Sequence, residues 1–158
     1  MSIEKVRAYF EGQGMADRIM EFPVSSATVE LAAQALGCAP ARIAKTLSFT
    51  VDGKPVLIVT AGDAKIDNAK YKAQFSAKAK MLTPDEAVTL IGHAVGGVCP
   101  FAVNDGVDVY LDCSLKRFKT VYPACGSSNS AIELTIDELE KHAGFLLWVD
   151  VCKAWQDC

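Results

Sequence analysis

The sequence predicts a mixed α/β domain built on a twisted, partly antiparallel sheet flanked by helices. Three observations carry the prediction. Thr46–Val51 alternates, Asp52-Gly53 is a type I′ turn signal, and Pro55–Ala61 is an apolar run, which together read as a β-hairpin. Two capping boxes, Thr83-Pro84-Asp85-Glu86 and Thr135-Ile136-Asp137-Glu138, each open a helix late in the chain. Strands and helices then alternate irregularly over short connections, without repeat, linker or composition break, so residues 1–158 read as one domain.

Taken in order, Ile3, Val6, Ala8, Tyr9 and Phe10 form a helical stripe ended by Gly12 and Gly14. Ile19–Phe22 reads as a short strand stopped by Pro23. Ser25, Ser26 and Thr28 offer N-cap hydroxyls for a helix from Thr28 to Leu36 that Gly37 ends, and the same hydroxyls could line a pocket. Pro40 suits the first turn of a short helix over Ala41–Ala44. The second hairpin strand lacks alternation and reads as central, buried on both faces. Asp67 or Asn68 caps a polar helix to Phe75, and Lys80–Leu82 reads as a short strand. The first capping box predicts a helix to Ile91. Val107–Asp112, Thr120–Tyr122, Ala131–Leu134 and Phe145–Val151 read as strands, Ser114–Phe118 as a helical turn, and the second capping box as a helix stopped by Gly144.

No apolar run is long enough to span a bilayer. The first five residues alternate in charge with no apolar h-region, so no signal peptide and a cytoplasmic location are expected. Six cysteines, at 38, 99, 113, 125, 152 and 158, form no C-x-x-C pair or zinc-spaced cluster, which predicts free thiols and no metal. The net charge of −3 argues against a general DNA binder. Between Arg42 and Lys80, however, eight basic residues stand against three acids, a local face that could meet a few phosphates.

Two features could carry chemistry. Gly92-His93-Ala94-Val95-Gly96-Gly97-Val98-Cys99-Pro100 follows a predicted helix, and its glycines permit positive φ and leave amides unshielded. Such a loop is either a surface turn or a cradle for an anion or a carbonyl oxyanion. Lys45 stands at the entry of an otherwise apolar strand, as edge protection or as a cation for a phosphate or ester carbonyl. Cys99 beside His93 allows a thiol nucleophile, although only two histidines exist to activate it. There is no Rossmann or P-loop fingerprint and no nucleophile elbow.

Four segments in a common order resemble the YbaK family of free-standing aminoacyl-tRNA deacylases, relatives of the editing domain inserted in bacterial prolyl-tRNA synthetases. They are Thr28–Gly37, Ile43-Ala44-Lys45-Thr46-Leu47, the G-x-x-x-P loop Gly96–Pro100, and Cys125–Ser130 followed by Ile132-Glu133-Leu134. The resemblance implies hydrolysis of the ester that joins a small wrong amino acid, such as Ala, Cys, Ser or Thr, to the 3′ end of tRNA(Pro). It needs no cofactor, and its partners would be the tRNA acceptor end and a prolyl-tRNA synthetase. Lys45 inherits the role of the family's essential lysine. Gly96, Gly97, Val98 and Cys99 would offer backbone amides to the aminoacyl carbonyl, and Pro100 would hold their loop. Ser26, Thr28, Thr46, His93, Ser128 and Asn129 would face the substrate. Thr46 stands where alanine-specific relatives carry asparagine, and Cys99 where many carry serine. A non-catalytic module that binds an aminoacyl-tRNA end or a nucleotide would present the same residues.

Overall fold

The computed structural model describes residues 2–155; Met1 and Cys158, with residues 156 and 157, lie outside the described residues. The hairpin forms as the local signals require. β2 (Ile43–Val51) and β3 (Lys54–Ala61) pair antiparallel from Ala44↔Ala61 to Val51↔Lys54. Asp52 and Gly53 both take positive φ, at 51° and 77°, which the mirror-image turn demands. From Val56 to Ala61 every residue of β3 is buried, because β3 lies inside the sheet.

That sheet has six strands. In addition to the hairpin it contains β5 (Asp108–Asp112), β6 (Thr120–Pro123), β8 (Leu134–Thr135) and β9 (Leu147–Val149), in the order β8-β6-β2-β3-β5-β9. Parallel and antiparallel pairs are mixed, since β3–β5, β5–β9 and β2–β6 run parallel. Two small ribbons complete the strands. β1 (Ile19–Glu21) pairs with β7 (Ser130–Ile132), and β4 (Lys65–Ile66) pairs with β10 (Cys152–Lys153).

The helices are α1 (Ser2–Gly12), α2 (Val29–Leu36), α3 (Asn68–Phe75), α4 (Pro84–Glu86) and α5 (Ile136–Ala143). Thr28 caps α2 by accepting from the Leu31 amide, and Asp67 caps α3 by accepting from Ala69 and Lys70. Both capping boxes close reciprocally. α1 buries Val6 and Phe10 in the core, and the Phe10 ring meets Phe101 edge-on at 5.0 Å. The first helix thereby supports the far end of the glycine loop from behind.

Five expectations are corrected. The short helix after Pro40 is a 3₁₀ turn over Pro40–Arg42, because Ile43 and Ala44 already belong to β2. Ala131–Leu134 is divided between β7, which ends at Ile132, and β8, which begins at Leu134. Lys80–Leu82 is no strand but a single bridge, Met81 to Phe49. The helix after Thr83 stays α-helical only to Glu86 and widens into a π turn over Ala87–Ile91. Asn104 causes the departure by taking the Thr89 and Ile91 carbonyls, while Gly92 in the left-handed region bonds back to Ala87. The last strand covers only Leu147–Val149, because the Val151 amide turns instead to the buried Asp112 carboxylate at 2.9 Å.

α5 carries a pH-sensitive link. Arg18 donates to both Glu138 oxygens, at 2.7 and 3.1 Å, and the Thr135 amide donates to one of them. These bonds, Arg18 first, hold the Glu138 carboxyl at about 2. A depressed carboxyl stabilises the fold fully above its unfolded value and loses that contribution as pH falls through its folded value. Urea midpoints of the wild type should therefore fall between pH 4.5 and about 2, and more steeply than those of Glu138→Gln. The pair is part-exposed, which keeps the effect modest.

Candidate active site

β2 pairs with β6 only through Ile43↔Tyr122 and Ala44↔Pro123. Past Ala44 the two strands part, and a cavity of about 260 Å³ opens between them. Its floor is β2 from Ile43 to Ser48. One wall is Ser26–Val29 with Ala32, and the other is Tyr122, Ala124, Ser130 and Ala131. Met81, Leu82, Val95, Gly96 and Val98 close the rim. The lining is small and mostly apolar, and Lys45 is its one charged residue among the described residues.

Lys45 is half-buried, and burial lowers its pKa below the ordinary lysine value while the negative charge of Asp63 partly offsets this. Its Nζ donates to the Ala64 carbonyl at 2.5 Å, which uses one of three donors. The turn bearing Ala64 is held firmly. Asp63 takes both Arg117 terminal nitrogens, at 2.6 and 3.0 Å, and that guanidinium lies over Trp155. Gly62 approaches Pro40 so closely that a Cβ there would sit 2.1 Å from the proline carbonyl oxygen. The ammonium is thus anchored on a rigid platform at the cavity floor.

Gly96 takes φ 95°, a conformation that favours glycine. Gly97 is a glycine for another reason. A Cβ on it would lie 2.6 Å from the Gly126 carbonyl carbon and the Ser127 nitrogen. The glycine loop and the Cys125–Ser130 loop therefore touch backbone to backbone. The Gly97 amide donates to Ala94 at 3.0 Å, so it is engaged inside the loop. The amides of Gly96 and Val98, both on the cavity rim, make no hydrogen bond among the described residues. They are the available pair for a developing oxyanion.

The remaining expected residues divide by position. Ser26, Thr28 and Thr46 line the cavity, although the Thr28 hydroxyl caps α2 and the Thr46 hydroxyl is buried with no hydrogen-bond partner among the described residues. Ser128 stands in a neighbouring hollow, and its carbonyl accepts from the Ser26 amide, tying the cavity wall to the loop. Asn129 lines neither space. Its side-chain amide donates to Phe22, and its carbonyl accepts from the Phe22 amide, so it fastens the chain entering the wall. Pro100 is buried behind the loop.

His93 and Cys99 are also turned inward. His93 Nε2 donates to the Phe101 carbonyl at 2.7 Å, so that nitrogen cannot serve as a base for the Cys99 thiol 3.6 Å away. Cys99 is fully buried, and burial pushes its thiol up to about 12. A thiol nucleophile needs the opposite environment. Under native conditions iodoacetamide should modify the partly exposed Cys38 while leaving Cys99 untouched until unfolding, as read by mass spectrometry of tryptic peptides.

Ser48, Met81, Tyr122 and Ser130 line the cavity without having been singled out in the sequence. Asp112, Cys113 and Asp150 place ligand atoms within 4.8 Å of one another. The Asp112 oxygens, however, accept from Ser114 and Val151, Asp150 pairs with Lys70, and the Cys113 thiol is raised to about 11, chiefly by burial. That set is built to hold the chain rather than a cation. The basic segment is also partly neutralised, since Arg42, Lys54 and Lys70 pair with Glu133, Asp108 and Asp150.

Residues 24–142 match the aminoacyl-tRNA editing domain. The chain belongs to this family. Every residue lining the 260 Å³ cavity falls within the matched span. The editing domain is 53% identical over 157 residues to an uncharacterized protein of Bacillus subtilis (strain 168), YwhH, covering 99% of this chain and all of that one. It is 30% identical over 102 residues to the proline–tRNA ligase of Geobacillus sp. (strain WCH70), covering 64% of this chain but only 18% of the ligase. Among solved structures, a candidate trans-editing enzyme for prolyl tRNA synthetase superimposes with a TM-score of 0.85 at 29% identity, over 96% of this chain and 97% of that one. No helix among the described residues is long and apolar enough to cross a membrane.

Proposed function

We propose that this editing domain hydrolyses the ester of a mischarged aminoacyl-tRNA, with tRNA(Pro) carrying a small wrong amino acid as the substrate. The observation that carries this reading is the small, largely apolar cavity that sets one anchored ammonium against two unengaged loop amides. The aminoacyl side chain occupies the cavity. The carbonyl oxygen points to the Gly96 and Val98 amides, and Lys45 adds positive charge beside it. Water attacks the carbonyl carbon, a C–O bond forms, and the bond to the ribose 3′ oxygen breaks. The proton lost by the water ends on that leaving oxygen, giving free amino acid and intact tRNA. Among the described residues no carboxylate or accessible imidazole lines the cavity, so catalysis rests on positioning and on charge stabilisation. A volume of about 260 Å³ limits the side chain that enters. Size alone separates near-isosteres poorly, which favours a set of small amino acids over a single one.

The test is a deacylation time course on tRNA(Pro) charged in turn with Ala, Ser, Thr, Cys and Pro. Rapid release of one or more of the small wrong residues, with Pro retained, is the expected result. Failure to release any, with this tRNA and with others, would leave a binding module.

A further inference from the structure

A second hollow adjoins the cavity and has no role in the chemistry above. It measures about 580 Å³ and is walled by Lys5, Val88, Ala94, Val95, Gly97 and Gly126–Ser128. Val95 lines both spaces, Gly96 faces the smaller and Gly97 the larger, so two consecutive residues form the ridge between them. Along that ridge the absence of a side chain matters. A Cβ on Gly96 would sit in van der Waals contact, at 3.4 Å, with the side chains of both Ala27 and Ser128, so the bare glycine leaves about one methyl group of extra room at the ridge.

We propose that the larger hollow takes the 3′-terminal nucleotides of the substrate while the amino-acid side chain occupies the smaller cavity, with the ester lying across the Gly96–Gly97 peptide. The inference rests on the deacylase reading. An aminoacyl ester joins a small group to a large one through a single C–O bond, and the structure offers a small space and a large one across a single ridge. The larger volume falls in the range of about 300–1,000 Å³ in which ligands of nucleotide size are held, and the smaller one does not. The wall chemistry also fits. Lys5 is exposed and brings a point charge for one phosphate, Ser128 brings an exposed hydroxyl, and Val88 and Val95 present apolar surface at 54% and 65% exposure for the face of a base. Lys5 belongs to α1, outside the span that matches the family, so this cation is supplied by the chain's own first helix.

The test is an ¹⁵N-protein titration with the trinucleotide cytidylyl-cytidylyl-adenosine, which requires no turnover. Amide shifts should centre on Lys5, Val88, Ser127 and Ser128. Val88→Glu, an exposed position where a carboxylate would oppose the phosphates, should weaken binding by about tenfold or more. Lys5→Gln should lower the slope of log affinity against log salt by about 0.7, the value of one single-strand phosphate contact. Leu146→Glu, at an exposed position lining neither space, should leave binding unchanged. Shifts centred on Lys65, Lys78 and Lys80, or full affinity in Val88→Glu, would overturn the assignment. Those results alongside Lys45-dependent deacylation would reject the nucleotide site and keep the deacylase. Trinucleotide bound in the hollow without turnover of any charged tRNA would do the reverse.

Discussion

Lys45→Ala is expected to lower single-turnover deacylation by about 10²–10³-fold, the loss typical of removing one charge-stabilising donor from a pre-organised site. Folding should survive the change. The Ala64 carbonyl that Lys45 bonds sits in a turn held independently by Asp63–Arg117 and by the close contact of Gly62 with Pro40. A thermal melt near that of the wild type should therefore accompany the lost rate. The pH profile supplies a second signature. Burial lowers the Lys45 pKa below the ordinary 10.5, so the protonated form that stabilises the carbonyl is lost earlier than for a surface lysine. The wild-type rate, corrected for spontaneous ester hydrolysis, should decline as pH rises through that lowered value. A Lys45→Ala variant that retains the wild-type rate would remove the cation from the mechanism.

Gly97→Ala is expected to damage both stability and rate. Its Cβ would meet three backbone atoms, the Gly126 carbonyl carbon, the Ser127 nitrogen and the Ser127 Cα, at 2.6, 2.6 and 2.8 Å. No rotamer change relieves a clash with backbone, so the two loops must separate, at a cost of about 1–3 kcal/mol as for other overpacked sites. The movement carries the Gly96 and Val98 amides with it, and displacement of about 1 Å can cost ~10²-fold in rate. Calorimetry and the same deacylation assay measure the two effects. Val95→Ala, two residues earlier in the loop but 65% exposed, should lower the melting temperature far less. Wild-type stability and rate in Gly97→Ala would mean that the loops do not need their contact.

The sequence was most informative where the physics is local. The Asp52-Gly53 turn, the caps at Thr28 and Asp67 and the two capping boxes each involve residues within four positions, and all form. Reading failed where a distant group decides. Val151 leaves the last strand for the Asp112 carboxylate, and the π turn follows from Asn104, more than ten residues downstream of the helix it alters. The site shows the same division. Lys45 and the glycine loop were visible as a cation in an apolar strand and as glycine punctuation. The reason Gly97 must be glycine lies some thirty residues away in Gly126–Ser127, and Ser130 enters the cavity only because β7 docks on β1. Buried His93 was indistinguishable in sequence from a histidine facing substrate.

The brief union of β2 and β6 has a wider consequence. The cleft is a gap left where a sheet stops closing, and the hairpin beneath it is complete without the walls. The cleft is bounded by Ser26–Val29 on one side and by Tyr122 and Ala124 on the other, and none of these residues belongs to the eight-pair ladder of β2 and β3. Selectivity can therefore drift, one wall residue at a time, while the platform that carries the ammonium stays unchanged.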